Sequence, residues 1–247
     1  MAMDCRIGTS GWQYPHWKGI FYPEGLKNAY WLSFYGQHFD TLEINATFYR
    51  EIKPTTYEKW FNTVPHNFLF SIKMTKYVTH FKKLKAEAAS VKRFTENVLS
   101  LRYKLAVVLI QLPPGLAFDA PLMEDFFGLL DHRIRYTVEA RNKTYIDDRF
   151  FSMLEGHKIA WCIADSAGRF PYYEIVTGPF VYARLHGSQN LYVSNYRDEE
   201  LVQWADKIES WKRPAYVYFD NDSYGYAVTN ALKLKALLSG RSSGVYP

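Results

Sequence analysis

Cysteine is nearly absent: Cys5 and Cys162 are the only two in 247 residues. They lie in apolar runs without C-x-x-C spacing, which argues against a disulfide framework or a thiolate zinc site and suits reduced core residues. Long apolar runs are also missing. None approaches the roughly 20 residues that a membrane-spanning helix needs. The opening "MAMDCRIGTS" has no basic start followed by an apolar stretch, so neither insertion nor export is expected and a reducing cytoplasm is the expected location. H-x-H and H-E-x-x-H spacings, internal repeats and low-complexity linkers are absent as well. No sign of charge dominates: 30 Lys and Arg against 25 Asp and Glu leave +5, a mild excess that suits an anionic ligand or simply a soluble surface.

What the chain does have is apolar and aromatic mass. Hydrophobic residues make up 48% and aromatics 18%, with 7 Trp, 20 Tyr and 17 Phe, enough for a large core and a binding surface besides. Short apolar runs alternate with amphipathic stretches, the pattern of βα units on a parallel sheet. Eight runs read as strands: 5–11, 41–48, 68–74, 105–112, 135–141, 159–166, 181–187 and 215–221. Helical periodicity fills the intervals, as in "TTYEKWFNTV" after Pro54, "PLMEDFFGLLD" from Pro121 and "DEELVQWADKIESW" from Asp198. The sixth connection, "AGRFPYYEIVTGP", lacks that period. Length and strand count together predict an α/β fold, a (βα)8 barrel of the TIM type in one domain over 1–240, with a C-terminal tail at 241–247 and disorder expected over "SGRSSGVYP".

Polar residues inside those strands need a reason, because a buried polar side chain is costly unless something pairs with it. "TLEINATFY" at 41–49 sets Glu43, Asn45 and Thr47 against Leu42, Ile44 and Phe48. Alternation along a strand places residues two apart on one face. By that rule Val181, Ala183 and Leu185 meet the helices, and Tyr182, Arg184 and His186 face the barrel axis. The same reasoning sends inward Glu43 and Asn45 on the second strand, Ser71 and Lys73 on the third and Gln111 on the fourth. Glu139 and Arg141 follow on the fifth, and Asp165 on the sixth. Most stand at the C-terminal ends of their strands, where barrel enzymes build their sites. A set of strand-end charges that merely plug the barrel by pairing with one another is the competing reading.

The segments "IGTSGWQYPHWKGIFYP", "FDTLEINATFYR", "IQLPPG", "VEAR", "IADS", "VYARLHG" and "YVYFDND…AVTNALKLKALL" occur in this order from about residue 5 to residue 238. Together they resemble the YecE-like family, a group of unknown function. The resemblance implies a TIM-type barrel and carries no established activity. Two places depart from the family pattern: Asp220, Asn221 and Asp222 stand where Asn-Asn-Asp is usual, and Arg141, Asn142 and Lys143 where Arg-His-Pro is frequent.

Chemically, Glu43 and Glu139 could form an acid and base pair, one raised in pKa and the other held ionised by Arg141 or Lys73. Strands four and seven end in Gln111 and His186, so a glycosidase of the common barrel type, with carboxylates on those two strands, is not expected. His186 is the candidate general base and Arg184 with Arg141 the candidate anion clamp. The expected catalytic set is Glu43, Glu139, His186 and Lys73. The expected binding set is Asn45, Arg141, Asp165, Arg184, Gln111, Asp220, Asn221 and, from the aromatic first loop, Trp12 and Tyr14. Phe48 and Tyr49 extend the aromatic wall. No cofactor is expected: Glu43, Glu139, Asp165, His186 and Asp220 are hard ligands for a divalent metal, but the nearby Lys and Arg compete for the carboxylates.

Two loops carry further signals. Gly187, Ser188, Ser223 and Gly225 lie where many barrels hold phosphate, weakened here by Asp220 and Asp222, the latter a candidate cap for the last helix. "KMTKYVTHFKKLK" interleaves Lys73, Lys76, His80, Lys82, Lys83 and Lys85 with Tyr77 and Phe81, the ingredients of a single-stranded nucleic-acid surface or of a plain solvated loop. The first functional expectation is therefore a barrel enzyme that uses acid and base chemistry, of hydrolase or isomerase type, on a small polar or anionic metabolite. The alternatives are a nucleic-acid-binding or processing protein and a non-catalytic small-molecule-binding barrel.

Overall fold

Apolar strand runs and amphipathic helices close into a single eight-stranded parallel sheet in the computed structural model, which describes residues 4–242. The strands are β1 Cys5–Thr9, β2 Thr41–Ile44, β3 Leu69–Lys73, β4 Leu105–Gln111, β5 Tyr136–Glu139, β6 Ala160–Asp165, β7 Val181–Leu185 and β8 Ala215–Phe219. Their order around the sheet is β1-β8-β7-β6-β5-β4-β3-β2. From β2 to β8 each strand thus pairs with its sequence neighbour, and β8 returns to β1, as a TIM-like barrel requires.

The remaining join, between β1 and β2, is made differently. A single parallel bridge links Ser10 to Glu43, with the Gly11 N–H donating to the Glu43 carbonyl at 2.8 Å. Below it the Tyr35 hydroxyl lies between the strands, accepting from the Thr9 N–H at 3.0 Å and donating to the Thr41 carbonyl at 3.2 Å. One side-chain oxygen thus stands in for two ladder bonds, and backbone groups that would be orphaned are satisfied. Gly8 permits the approach, since a Cβ there would lie 2.4 Å from the Thr41 carbonyl oxygen.

The helices are α1 Trp31–His38, α2 Ala46–Tyr49, α3 Pro54–Thr63, α4 Ala88–Val98, α5 Ala120–Gly128, α6 Asp148–Gly156, α7 Asp198–Ser210 and α8 Tyr226–Ser242. Pro54 and Pro121 occupy first-turn positions, where the missing N–H costs nothing. Asp119 caps α5 by accepting from the Leu122 N–H at 3.2 Å, and Glu200 accepts from the Arg197 N–H at 2.8 Å to close the start of α7. No helix forms between β6 and β7, and Thr177 ties that excursion to the sheet by accepting from the Trp161 N–H at 2.9 Å.

Residues facing outward, among them Val181, Ala183, Leu185, Val217 and Phe219, join the apolar layer under the helices. A separate cluster fills the barrel interior, built from Val107, Leu109, Cys162, Tyr182, Tyr216 and Tyr218 with smaller neighbours. The interior becomes polar as it rises. Tyr218 shares hydrogen bonds with Thr41 Oγ1 at 2.6 Å and Ser71 Oγ at 2.9 Å, and Tyr182 donates to Glu43 Oε2 at 2.6 Å.

Strand ends mostly fall within one or two residues of the sequence reading, and two boundaries differ in kind. The second strand stops at Ile44 instead of 48: Asn45 adopts helical dihedrals and residues 46–49 form α2, where Thr47 donates to the carbonyls of Ile44 and Lys73. The last helix continues through Ser242, so the first residues of the expected tail are helical; the rest of that tail, 243–247, lies outside the described residues.

Candidate functional site

Arg184 rises from the end of β7 into the barrel axis and is 1% exposed. Its Nε and Nη2 donate to Glu43 of β2, Nη2 at 2.8 Å from Oε1. Nη1 donates to Glu139 Oε2 of β5 at 2.6 Å, and Nη2 also reaches Ser10 Oγ at 3.1 Å and Asp220 Oδ2 at 3.0 Å. One guanidinium therefore gathers carboxylates from three sides of the barrel. Buried charges survive only when paired in this way. Ser10 adds a hydrogen bond to Glu43.

A ring of further groups surrounds this hub. Gln111 of β4 donates from Nε2 to Glu139 Oε1 at 3.0 Å, and Arg141 donates from Nε to the same oxygen at 3.0 Å. His186 is fully buried, with Nδ1 3.0 Å from Asp220 Oδ2 and Nε2 3.4 Å from Arg184 Nη1. Burial works against ionisation of Glu139, but the guanidinium groups of Arg184 and Arg141 win and hold its carboxyl well below the usual carboxylate range. Asp220 is lowered by the same contest, with Arg184 the main stabilising charge.

Lys73 stands apart from these pairs. Among the described residues no carboxylate oxygen comes within 4.0 Å of its Nζ, which instead sits 4.2 Å over the Phe48 ring. The side chain is buried, and desolvation together with the Arg184 charge brings its pKa down from 10.5 to about 8, against the pull of Glu139, Glu43 and Asp220. Its proton is therefore exchangeable near neutral pH.

Arg141 is the other group with chemistry to offer. Its guanidinium lies 4.2 Å from the Phe170 ring centre and donates from Nη2 to the Tyr192 hydroxyl at 3.3 Å. With Nε on Glu139, Nη1 has no hydrogen-bond partner among the described residues. Next to the Lys73 and Arg141 charges stands His80, packed edge-on to Phe48 at 4.9 Å. Burial, with those two cations, lowers its pKa to about 4.

The expected inward set is thus only partly assembled at the mouth. Glu43, Lys73, Gln111, Glu139, Arg141, Arg184, His186 and Asp220 converge. Tyr14 approaches them, donating to the Ser10 carbonyl at 2.6 Å, its phenol raised by burial and by the charges of Asp220, Asp222 and Glu43. Asp165 does not converge. It pairs in register with outward-facing Leu185 and accepts from the Tyr196 hydroxyl at 2.8 Å, beneath α7, because on β6 the inward positions are Ala160, Cys162 and Ala164. Trp12 also turns away. Gly11, at φ +98°, swings the chain off β1, and Trp12 packs edge-on to Trp60 of α3 at 5.7 Å. Asn221 is buried on the outer side, donating to the Ser194 carbonyl and Asn230 Oδ1. Asn45 left the strand face with α2, and its buried Oδ1 has no partner among the described residues.

Other expectations are revised by the same contacts. Arg184, expected as an anion clamp, has Nε, Nη1 and Nη2 all engaged by the protein. Two of the phosphate-cup residues are occupied likewise: the Gly187 N–H donates to Tyr196 and the Ser223 hydroxyl to the Tyr192 carbonyl. Asp222 does not cap α8; it accepts from Trp17 Nε1 at 2.8 Å and contacts His16 Nε2 at 3.0 Å, pinning the first loop. Among the described residues, no group of three or more His, Cys, Asp or Glu is disposed to hold a metal ion. Ser10, His80, Phe170 and Tyr192 also join the mouth, where the sequence reading does not place them. Ser10 lies two residues beyond Gly8 on the axis side; the others arrive from loops, where no periodicity points to them.

The match to known proteins runs the length of the barrel. Residues 6–246 fit the family described as "Protein of unknown function DUF72". The chain belongs to the DUF72 family. This is the YecE-like group to which the motifs pointed. The UPF0759 protein YunF of Bacillus subtilis (strain 168) is 24% identical over 278 residues, spanning 98% of this chain and 97% of that protein. Among solved structures, a DUF72 family protein of Thermotoga maritima MSB8 superposes with a TM-score of 0.84 at 26% identity, covering 95% of this chain and 99% of that one. A DUF72 family protein of Enterococcus faecalis V583, at 19% identity with a TM-score of 0.83, covers 95% of each chain and shares the fold. No helix among the described residues is long and apolar enough to cross a membrane.

Proposed function

We propose that this DUF72 barrel is an enzyme whose C-terminal mouth binds a small anionic metabolite, with Lys73 as the group that exchanges protons with it. The observation that carries this reading is Lys73 itself: buried, without a carboxylate within 4.0 Å among the described residues and lowered to about 8, beside carboxylates already claimed by Arg184. An ordinary structural lysine would be paired or solvated. A lysine with a loosened proton is suited to general base or acid work near neutral pH.

The roles follow from the contacts. Glu139, held ionised, serves as a fixed negative charge, not as a proton donor. Arg184 sets the carboxylates in place, and His186, buried behind Arg184 and Asp220, orients this frame. Arg141 has one Nη1 without a partner among the described residues and a ring beneath it, an arrangement that suits a substrate carboxylate or phosphate. Proton abstraction within an isomerisation or a hydrolysis fits this set.

A mixture of candidate substrates provides the test. Purified protein and its Lys73→Gln variant are each incubated with a metabolite extract, and consumption is followed by mass spectrometry. At least one anionic compound is expected to be consumed by the parent protein alone. Equal consumption by both, or by neither, overturns the proposal.

A second reading, a barrel that only binds its ligand, draws on the saturation of Arg184. It expects a compound retained by the parent protein and recovered unchanged.

A further inference from the structure

Beside the mouth runs a groove of about 460 Å³, lined by α2, the segment after it, the turn after β3 and α4. Its walls include Phe48, Tyr49, Tyr77 and Phe81, together with the cations Arg50, Lys76 and Arg93. Two features set it apart from an ordinary surface hollow. Tyr49 and Phe81 are each 68% exposed, an apolar cost on a soluble surface unless something covers them. Lys76 Nζ lies between their rings, 5.8 Å from Tyr49 and 5.2 Å from Phe81.

The charge of the groove is positive and available. Among the described residues neither Arg50 nor Lys76 has a carboxylate within 4.0 Å. Glu51 is already engaged by Arg93 at 3.2 Å, and Glu87 by Lys82 at 3.2 Å. The cations also extend past the cavity. Residues 77–81 form a π-helical turn, a form frequent at functional sites. The following turn places Lys83 and Leu84 at φ of 47° and 69°, so that Leu84 tucks inward while Lys83 and Lys85 stay exposed.

We infer that this groove binds single-stranded nucleic acid, with bases stacked on Tyr49 and Phe81 and the backbone phosphates met by Arg50, Lys76, Lys83 and Lys85. Exposed rings interleaved with cations that lack a carboxylate partner among the described residues match both halves of a nucleotide, since any base can stack and every phosphate carries charge. A cavity of this size takes only one or two nucleotides, whereas the cations beyond it require further phosphates. That extension favours a strand over a free nucleotide. The inference stands on the groove alone and does not depend on the chemistry of the mouth.

The experiment is fluorescence anisotropy with a labelled oligothymidylate against the full chain across a salt series. Binding at low salt is expected, with log K falling by about 0.7 for each phosphate neutralised per decade of salt, for a total slope near −2 to −3. Tyr49→Ala and Phe81→Ala should each weaken binding about 10-fold and leave that slope unchanged. Lys76→Glu should lower both affinity and slope. Tyr49→Trp and Phe81→Trp should keep or strengthen binding, which separates lost stacking from damaged folding. Absence of binding at low salt, alanine variants that bind as the parent does, or thymidine monophosphate competing as well as the strand would each overturn the inference.

Discussion

Arg184 and Glu43 meet across the barrel axis from β7 and β2, joined by hydrogen bonds from Nε and Nη2 with the closest contact at 2.8 Å. Both are buried, at 1% and 0% exposure. The pair therefore belongs to the architecture of the mouth before it belongs to any chemistry. Removing one partner of such a pair leaves an uncompensated charge in the interior, a change that costs about 3–5 kcal/mol.

Arg184→Met is accordingly expected to destabilise the fold by roughly that amount, because Glu43, Glu139 and Asp220 all lose their common donor. Arg184→Lys should recover little, since an ammonium cannot span three carboxylates from one planar fork. Urea denaturation of the two variants checks this, and a loss under about 1 kcal/mol for either one would contradict the role given to Arg184.

Lys73→Met should behave in the opposite sense. The folded protein disfavours the charged lysine, so replacing it with an apolar chain of similar length is expected to stabilise by about 3 kcal/mol at neutral pH while removing the turnover proposed for the mouth. Stabilisation with loss of function is the pattern of a residue retained for its activity. A thermal melt below that of the parent would argue that Lys73 is structural.

The same lysine sets a pH dependence. Its folded value of about 8 is below its ordinary 10.5, so between these values the unfolded chain holds more protons and stability rises with pH. Raised tyrosines such as Tyr136, at about 12, act in the opposite direction at higher pH. The informative quantity is therefore the difference between parent and Lys73→Met unfolding free energies. That difference should change by up to about 3 kcal/mol across the window, and a flat difference would remove the basis for a loosened proton.

Asp222 gives a second titration. Burial raises its carboxyl from 3.8 to about 6, against the donors Trp17 and His16. Here the folded state holds the extra proton, so this group's contribution to stability falls as pH rises from about 4 to about 6 and is constant above. Asp222→Ala should abolish that slope and free the Trp17 indole, at a cost of about 1–3 kcal/mol for the lost buried partners. Tryptophan fluorescence during denaturation at several pH values reports both effects.

Much of the architecture is legible in the sequence. The eight strands announce themselves because each is a short apolar run bounded by turn residues, and β7 gives its facing unambiguously by alternating Val181, Ala183 and Leu185 with Tyr182, Arg184 and His186. Asp165 misleads because β6 is buried on both faces: with Trp161 and Ile163 outside and Ala160, Cys162 and Ala164 inside, hydrophobicity does not set the parity. Asn45 misleads for another reason. Nothing in "NATFY" signals that the chain coils into α2 one residue after Ile44, and the bond from Thr47 to the Lys73 carbonyl that rewards the coil is a tertiary contact. Tyr192, Phe170 and His80 reach the mouth from loops, where facing depends on the whole fold.

The Tyr35 hydroxyl has a consequence for motion. Seven joins of the sheet are laced by backbone ladders, and the eighth hangs on one bridge and one phenol. Glu43, which anchors the charge cluster, sits on that eighth join. Tyr35→Phe should leave the other strands protected while the amides of Thr9 and Gly11 exchange with solvent faster, so that a guest pressing on Glu43 would pry the wall apart along this line first.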